Sequence, residues 1–148
     1  MIKPWKRISS QTIIEDKWIT LRTEVCQRSD GKIVAPFYVI DDSDFVSVLA
    51  LTTDKHVVLT TEYRHGVAET LIGLPGGLVD SSDAGPTETA QRELLEETGY
   101  AGTKVLYLGC TFANPLRNTN KVHHVIIENV KRISDQKLDE NEEIEVSL

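Results

Sequence analysis

Residues Leu74–Tyr100, with the sequence LPGGLVDSSDAGPTETAQRELLEETGY, decide the fold of this 148-residue chain. A Pro-Gly-Gly turn begins the stretch, a polar loop follows, and good helix formers fill most of what remains. Pro86 occupies a position where the first turn of a helix tolerates proline, and Gly99 occupies one where helices commonly end in a left-handed cap. The stretch therefore predicts a helix over residues 87–98.

Three acids of this predicted helix fall on one face. At about 100° per residue, Glu93, Glu96 and Glu97 lie within an arc of roughly 100°. Like charges at these spacings repel each other by about 0.2–0.5 kcal/mol per pair, so a cation is expected over them. Carboxylate oxygens are ligands of hard divalent ions, and the pattern predicts a metal site. The alternative is a solvated surface helix, a common use of glutamate-rich helices.

The segment Arg92–Tyr100 (RELLEETGY) resembles the second half of the signature of the Nudix hydrolases, which reads Arg-Glu-apolar-any-Glu-Glu-any-Gly-apolar. Every position agrees. The first half of the signature contains a departure, because six residues after Gly77 the chain has Asp83 where the family has a glutamate. The loop before Arg92 is also one residue longer than in the family, so either Asp83 or Ala84 stands in the place of that glutamate.

The resemblance implies an α/β fold of the α+β type, the Nudix α/β/α sandwich with a mixed sheet. It also implies metal-dependent hydrolysis of a small-molecule substrate, a nucleoside diphosphate linked to another group. The three clustered acids, Glu93, Glu96 and Glu97, would be catalytic and would hold Mg²⁺ or Mn²⁺. The main-chain carbonyl of Gly76 would complete the set of metal ligands. Arg92 would orient the carboxylates through charge-assisted hydrogen bonds.

The identity of the general base stays open. Many Nudix relatives carry a catalytic glutamate in the loop that corresponds to residues 113–120, but this loop contains no acid. A metal-bound hydroxide is one alternative, and Glu142 or Glu143 reaching in from the acidic tail is another.

Residues 1–43 have the composition of β-structure. Residues 18–27 and 34–40 predict strands on either side of a Ser-Asp-Gly turn. This arrangement resembles the antiparallel sheet that precedes the catalytic domain in the ADP-ribose and nucleotide-sugar pyrophosphatase branch of the family. The resemblance implies a small N-terminal antiparallel β-extension, residues 1–43, that supports a homodimer and contacts substrate, followed by a Nudix domain over residues 44–148.

Three further residues are candidates for substrate binding. Trp18 either packs in a core or an interface or stacks on the nucleotide base. Arg64, which follows a predicted strand, is by itself typical of a surface arginine, but the resemblance implies a contact with the substrate phosphates, which suits the bidentate geometry of arginine. Arg117 lies in the same loop as Pro115, and a proline there goes with ADP-ribose-type substrates in the family. ADP-ribose or a nucleotide sugar is therefore the favoured substrate.

Runs of β-branched and apolar residues predict the strands of the second part of the chain. Residues 45–52 and 56–63 predict a hairpin, because only a tight turn separates them. Later strands are predicted at residues 103–112, 121–128 and 144–146.

His123 and His124 are adjacent in one of these strands, so they are expected on opposite faces, one packed inward and the other exposed. Adjacent residues of a strand cannot easily share a metal ion. Relatives continue into a C-terminal helix after the last strand, and no such helix is predicted within residues 44–148.

Composition argues against several other classes of function. The formal charge is −7, and residues 134–148 hold six acids against one lysine. Because there is no basic stripe, the chain is not expected to bind a nucleic-acid polymer. No apolar run approaches the roughly 18–20 residues that span a bilayer, and two cysteines favour a reducing compartment. A cytoplasmic protein without membrane association is expected.

Two other functions stay open. A Nudix-like domain can bind a nucleotide sugar as a sensor without turning it over, and the altered loop at Asp83 leaves room for this. The chain could instead hydrolyse nucleoside triphosphates or dinucleoside polyphosphates, although the N-terminal sheet and Pro115 argue against both.

Overall fold

The computed structural model describes residues 2–148 of the chain. Those residues form ten strands and one α-helix, so the mixed α+β class is confirmed. By their internal contacts they divide into two compact units, one made of residues up to Ser43 with Phe112–Lys121, the other of Asp44–Thr111 with Val122–Leu148. In chain order the elements are β1 (Lys6–Glu15), β2 (Thr20–Gln27), β3 (Ile33–Asp41), β4 (Phe45–Thr52), β5 (Leu59–Arg64), β6 (Glu69–Gly73), α1 (Pro86–Thr98), β7 (Tyr100–Ala101), β8 (Lys104–Phe112), β9 (Lys121–Arg132) and β10 (Ile144–Ser147).

The first unit is built on a three-stranded antiparallel sheet in the order β1-β2-β3. The expected antiparallel strands of the N-terminal part are therefore present, and β1 adds a strand at a position where the sequence shows no clear alternation. The loop after β8 joins this unit through β3, because the N–H of Ile40 donates to the carbonyl of Arg117 at 2.8 Å. The N–H of Thr119 in turn donates to the carbonyl of Ile40 at 3.0 Å.

The second unit contains two sheets. One is antiparallel, in the order β10-β5-β6, and the other has the order β4-β9-β7, with β8 also paired to β9. The second sheet is mixed, as expected, because β4 runs parallel to β9 and β7 runs antiparallel to it. The single helix in residues 2–148 supplies one helical layer, since the chain after β9 forms a loop and β10.

The hydrophobic core lies between α1 and the mixed sheet. Successive side chains of a strand alternate between its faces, so β4 turns Val46, Val48 and Ala50 to the same side. These residues are buried against Ala90 and Leu94 of α1. Burying a large aliphatic side chain contributes about 1.5–3 kcal/mol, and this packing determines which face of α1 points inward.

The predicted hairpin between residues 45–52 and 56–63 is wrong beyond its turn. The N–H of Val58 donates to the carbonyl of Ala50 at 3.0 Å, and the two strands then separate into different sheets. The turn depends on local residues and could be predicted from the sequence. The partner of each strand could not be predicted, because both segments are apolar enough to pair with several others.

The helix α1 begins one residue before its predicted start and ends as predicted. Gly99 follows it with φ 75°, and the Gly99 N–H donates to the carbonyl of Leu95 at 2.9 Å. This left-handed conformation favours glycine, because a Cβ would be strained there. No helix in residues 2–148 is long and apolar enough to cross a membrane.

Candidate active site

The Pro-Gly-Gly turn lies against β4 and beneath α1. The carbonyls of Pro75 and Gly77 accept the N–H groups of Val48 and Val46, each at 2.9 Å. A Cβ on residue 76 would collide with the carbonyl of Val46, and a Cβ on Gly77 would collide with the carboxylate of Glu93. Gly76 is therefore needed so that the backbone can approach the strand, whereas a Cβ on residue 77 would require the Glu93 carboxylate to move.

Glu97 is a buried carboxyl at the C-terminal end of α1, with 6% of its surface exposed. One of its oxygens accepts the Gly76 N–H at 2.8 Å. Burial raises the pKa of Glu97 to about 8, because the Gly76 hydrogen bond, which lowers the pKa, is outweighed by lost hydration. The charges of three other acids, Glu93, Glu62 and Glu142, raise the pKa further.

Glu93 lies one turn before Glu97 and is 9% exposed. Burial raises the pKa of Glu93, and the neighbouring Arg92 opposes that change. The same Nη1 of Arg92 contacts Glu93 at 2.8 Å and Glu96 at 3.0 Å. Glu96 lies at the surface of the helix, where Arg92 contacts it. The carboxylate of Glu93 faces the glycine turn.

Asp83 is one of the two residues that could stand in the place of the family's glutamate in the loop before α1. Its carboxylate lies 3.0 Å from Nη2 of Arg92 and accepts the hydroxyl of Thr89 at 2.8 Å. The Arg92 and Thr89 hydrogen bonds hold the pKa of Asp83 below its usual value. The Asp83 side chain therefore ties the longer loop to the helix, whereas Ala84 contributes only its main-chain N–H, which donates to the carboxylate of Glu88.

Two acids from outside the helix act on the same place. Glu62 of β5 and Glu142 of the segment before β10 both raise the pKa of Glu97 by their charge, and Glu142 also raises that of Glu93. Glu62 forms an ion pair with Arg64, whose side chain is 58% exposed. Arg64 thus pairs with one of the acids whose charge acts on Glu97. These acids and those of the helix are called the acid cluster: Glu62, Glu93, Glu96, Glu97 and Glu142.

The other two candidate substrate residues lie in the first unit. Trp18 is 68% exposed, with the ammonium of Lys17 4.3 Å above its indole ring. It lines a shallow cavity of about 260 Å³ formed by residues 16–20 and 41–43. Arg117 is exposed, and its described hydrogen bonds are made by the main chain: its N–H donates to the carbonyl of Asn114 at 3.0 Å, and its carbonyl accepts the Ile40 N–H at 2.8 Å. The packing of Trp18 in a core is not observed.

The two adjacent histidines make different contacts. His123 is hydrogen-bonded to the carboxylate of Asp44 at 3.0 Å and to the hydroxyl of Tyr107 at 2.9 Å. His124 is hydrogen-bonded to the hydroxyl of Thr111 at 3.0 Å. Both histidines are half-buried, so the expectation of one buried and one exposed ring is wrong. The strand pairing with β8 gives each ring a polar neighbour.

The acid cluster has the donor chemistry of a site for a hard divalent cation. Burial raises the pKa of its two buried carboxyls, and a positive charge beside them would favour their ionised forms. Within residues 2–148, no three His, Cys, Asp or Glu side chains stand close enough to form a ready-made metal site. Glu93 and Glu96 both contact the guanidinium of Arg92.

Sequence reasoning missed Glu62 as a member of the cluster and gave Glu142 no preference over Glu143. The only signal for Glu62 was its position two residues before Arg64 on a predicted strand. For Glu142 there was only an acidic tail of no defined structure. Both depend on β10 pairing with β5, which places the two segments side by side.

Comparisons with known proteins bear on the identity of this site. The profile of the NUDIX domain matches residues 44–148, and that of the nucleoside diphosphate sugar hydrolase N-terminal domain matches residues 5–40. The chain belongs to the Nudix family. It is a Nudix pyrophosphohydrolase, and Nudix hydrolases generally use divalent metal ions.

Individual relatives agree with this assignment. The ADP-ribose pyrophosphatase of Bacillus subtilis (strain 168) is 28% identical over 142 residues, which cover 95% of this Nudix chain and 76% of the relative. The ADP-ribose pyrophosphatase of Mycobacterium tuberculosis is 32% identical over 95 residues, 64% of this chain and 45% of the relative. A solved structure of an ADP compounds hydrolase superposes on this chain with a TM-score of 0.83 at 20% sequence identity. The match covers 99% of this chain and 78% of the solved chain, so the two proteins share a fold.

Proposed function

We propose that this Nudix enzyme hydrolyses the diphosphate bond of ADP-ribose or a related nucleotide sugar, giving a nucleoside monophosphate and a sugar phosphate. The observation that carries the proposal is the pair of buried acids, Glu93 and Glu97, held beside the Gly76-Gly77 turn. Two relatives named as ADP-ribose pyrophosphatases, one aligned over 95% of this chain, support the substrate class.

Glu93, Glu96 and Glu97 are the proposed metal ligands, with the carbonyl of Gly76 as a fourth. In an extended segment the N–H and C=O of one residue point to the same side. The Gly76 N–H donates to Glu97, and the carbonyls of Pro75 and Gly77 on either side are used by β4, so the Gly76 carbonyl is proposed to be directed toward the acids. A bound Mg²⁺ or Mn²⁺ would neutralise diphosphate charge and make a water more acidic.

Burial prepares the two inward-facing acids for a cation. A carboxylate removed from water interacts more strongly with any positive charge that enters, and Glu62, Glu93 and Glu142 add negative charge around Glu97. Arg92 balances Glu93 and Glu96 on the other side. Its role in this proposal is to hold those carboxylates in place.

Glu142 is the proposed general base. Of the two tail acids considered, it is the one whose charge reaches Glu93 and Glu97. Its carboxylate accepts the N–H of Asp139 at 2.9 Å, which restrains it without neutralising it. An ionised Glu142 would take the proton from the attacking water.

The phosphate and nucleoside contacts are proposed for the remaining candidates. Arg64 is exposed enough to bind a substrate phosphate while it pairs with Glu62. The exposed indole of Trp18 is proposed to stack on the base, and Arg117 to bind a polar group of the substrate.

The N-terminal extension, residues 1–43, is proposed to form a homodimer, because every residue of β1 is exposed and the strand includes Ile8, Ile13 and Ile14. A cytoplasmic location stays a prediction.

A substrate panel tests the function. Purified protein with Mg²⁺ or Mn²⁺ is offered ADP-ribose, nucleotide sugars, nucleoside triphosphates and dinucleoside polyphosphates, and products are separated by ion-exchange chromatography. Equal amounts of nucleoside monophosphate and sugar phosphate are expected from the first two classes. Saturable binding without turnover would indicate a sensor, and faster turnover of the last two classes would replace the proposed substrate.

A further inference from the structure

The segment that follows β9 crosses the C-terminal end of α1. The N–H of Ile133 donates to the carbonyl of Gly99 at 2.8 Å, and the N–H of Lys137 donates to the carbonyl of Glu96 at 2.8 Å. The last carbonyls of a helix have no partner within the helix. These two bonds therefore join the segment to Glu96 in the last turn of α1 and to the Gly99 cap that follows it.

Gln136 adds a side-chain link at the same place. Its amide nitrogen donates to the carbonyl of Glu97 at 2.6 Å and to the carbonyl of Ile144 at 3.0 Å. The side chain is half-buried, and both of its N–H groups are used on main-chain acceptors. One residue thus connects the end of α1 to the first residue of β10.

The acidic segment 138–143 lies between these two attachments. Inside it, Asp139 and Glu142 form a reciprocal turn, because the Glu142 N–H donates to the Asp139 carbonyl at 3.0 Å and the Asp139 N–H donates to the Glu142 carboxylate at 2.9 Å. The turn determines the local shape of the segment. The position of the segment against α1 depends on the residues on either side of it.

We propose that Gln136 is a positioning residue that holds the segment 138–143, and with it Glu142, against the acid-bearing end of α1. Its part in catalysis rests on the proposed function, whereas its part in positioning does not. Both partners of its amide are carbonyl oxygens, so the side chain must donate twice from one nitrogen. Glutamate at neutral pH and methionine match its size and cannot do this.

The test uses Gln136→Met, which removes both donors and keeps the volume, and Gln91→Met as a matched control on the exposed face of α1. Hydrogen–deuterium exchange of the amides in residues 138–144 is measured for both variants. Because two hydrogen bonds are lost, exchange in Gln136→Met should be about tenfold faster or more. Gln91→Met should exchange like the unmodified protein. Unchanged exchange in Gln136→Met overturns the proposal.

Steady-state kinetics on ADP-ribose with Mg²⁺ provide the second readout. In Gln136→Met, kcat should fall about tenfold or more while KM changes by less than about threefold. A general loss of structure would instead lower the fraction of active enzyme and the melting temperature together. If Gln136→Met folds poorly, Gln136→Glu, which loses the same two donors, is measured in its place. Faster exchange with an unchanged kcat would overturn the catalytic part of the inference.

The two proposals fail in different ways. If the unmodified protein does not turn over any substrate of the panel, the proposed function fails, and faster exchange in Gln136→Met still supports the positioning role. If the unmodified protein is active and Gln136→Met matches it in exchange and in kcat, the function stands and the role of Gln136 is refuted.

Discussion

The two sides of the acid face of α1 are held in different ways. On one side, which we call the balanced side, Arg92 contacts Asp83, Glu93 and Glu96, so that each of these carboxylates has a cationic partner. On the other side, Glu97 is surrounded by the main chain of Gly76 and by further acids, and its pKa rises to about 8. Balanced charge serves to hold a structure, while unbalanced buried charge is typical of a functional site.

One short helix therefore carries both a group of ion pairs that holds the structure and a buried acid of the candidate site. Arg92 and Glu96 are one turn apart and form a partly exposed pair, which by itself contributes little to stability. The same arginine also reaches Asp83 and so fixes the loop that leads into the helix. Within residues 2–148, by contrast, Glu97 forms no described ion pair, and its carboxylate accepts the Gly76 N–H.

Glu97→Gln should break the unbalanced side and produce the largest effect. The change removes a carboxylate charge and little volume, and kcat should fall by more than about 100-fold, beyond what loss of a supporting contact costs. The fold should persist, because a neutral amide is easier to bury than the acid. Kinetics and circular dichroism check this, with Glu88→Gln, on the exposed first turn of α1, as the control. Normal turnover by a folded Glu97→Gln protein would contradict the assignment.

The pH dependence of stability without metal should show the same imbalance. A pKa raised from 4.5 to about 8 means that the folded protein binds the Glu97 proton more tightly than the unfolded chain does. Its contribution is fully present below pH 4.5 and is lost as the pH rises through about 8, at most about 5 kcal/mol.

The measurement is urea unfolding from pH 5 to pH 8.5 in the presence of a chelator. The unmodified protein should lose free energy of unfolding relative to Glu97→Gln as the pH rises, and Mg²⁺ should restore part of it at pH 8.5 by binding the folded state. Parallel pH curves for the two proteins would show that Glu97 ionises as easily in the folded state as in the unfolded one.

Arg92→Met should damage the balanced side. Glu93 and Glu96 lose their shared partner, so the free energy of unfolding should fall by about 1–3 kcal/mol and kcat by about 10–100-fold. Thermal unfolding and kinetics on the same preparation measure both. Arg132→Met is a suitable control, because Arg132 pairs with the exposed Asp135 at a distance of 3.3 Å and touches none of these acids. Full activity in Arg92→Met would mean that the carboxylates need no arginine to orient them.

Asp83→Asn should have the smallest effect. The amide keeps the shape and the bond from Thr89 while it loses the charge that faces Arg92, so kcat should fall by no more than about tenfold. Asp80→Asn, in the same loop but without a contact to Arg92, should leave kcat unchanged. A loss as large as that of Arg92→Met would show that Asp83 is essential to the balanced side.

Much of the helix could be predicted from the sequence because its determinants are local. Pro86 and Gly99 mark the ends through backbone conformations that each residue prefers. The acid face follows from helical periodicity alone, and Glu93, Glu96 and Glu97 indeed lie together. The close approach of the backbone at Gly76 and Gly77 was also legible, since few other reasons place two glycines before such a helix.

The separation of β4 and β5 could not be predicted, and neither could the acids that depend on it. Strand pairing joins residues far apart in the chain, and apolar strands carry little information about their partner. Pairing of β5 with β10 brings Glu62 and the segment with Glu142 to the end of α1. The hydrogen bonds of Gln136 to Glu97 and Ile144 arise from the same pairing.

The helix, its cap and the spacing of its acids follow from the local sequence, because they depend on backbone preferences and on a period of about 3.6 residues. Which of the acids has a cationic partner depends on the fold. That outcome depends on burial and on charges brought from β5 and from the segment before β10. Neither is encoded within one turn of α1, where Glu93 and Glu97 are equivalent by spacing.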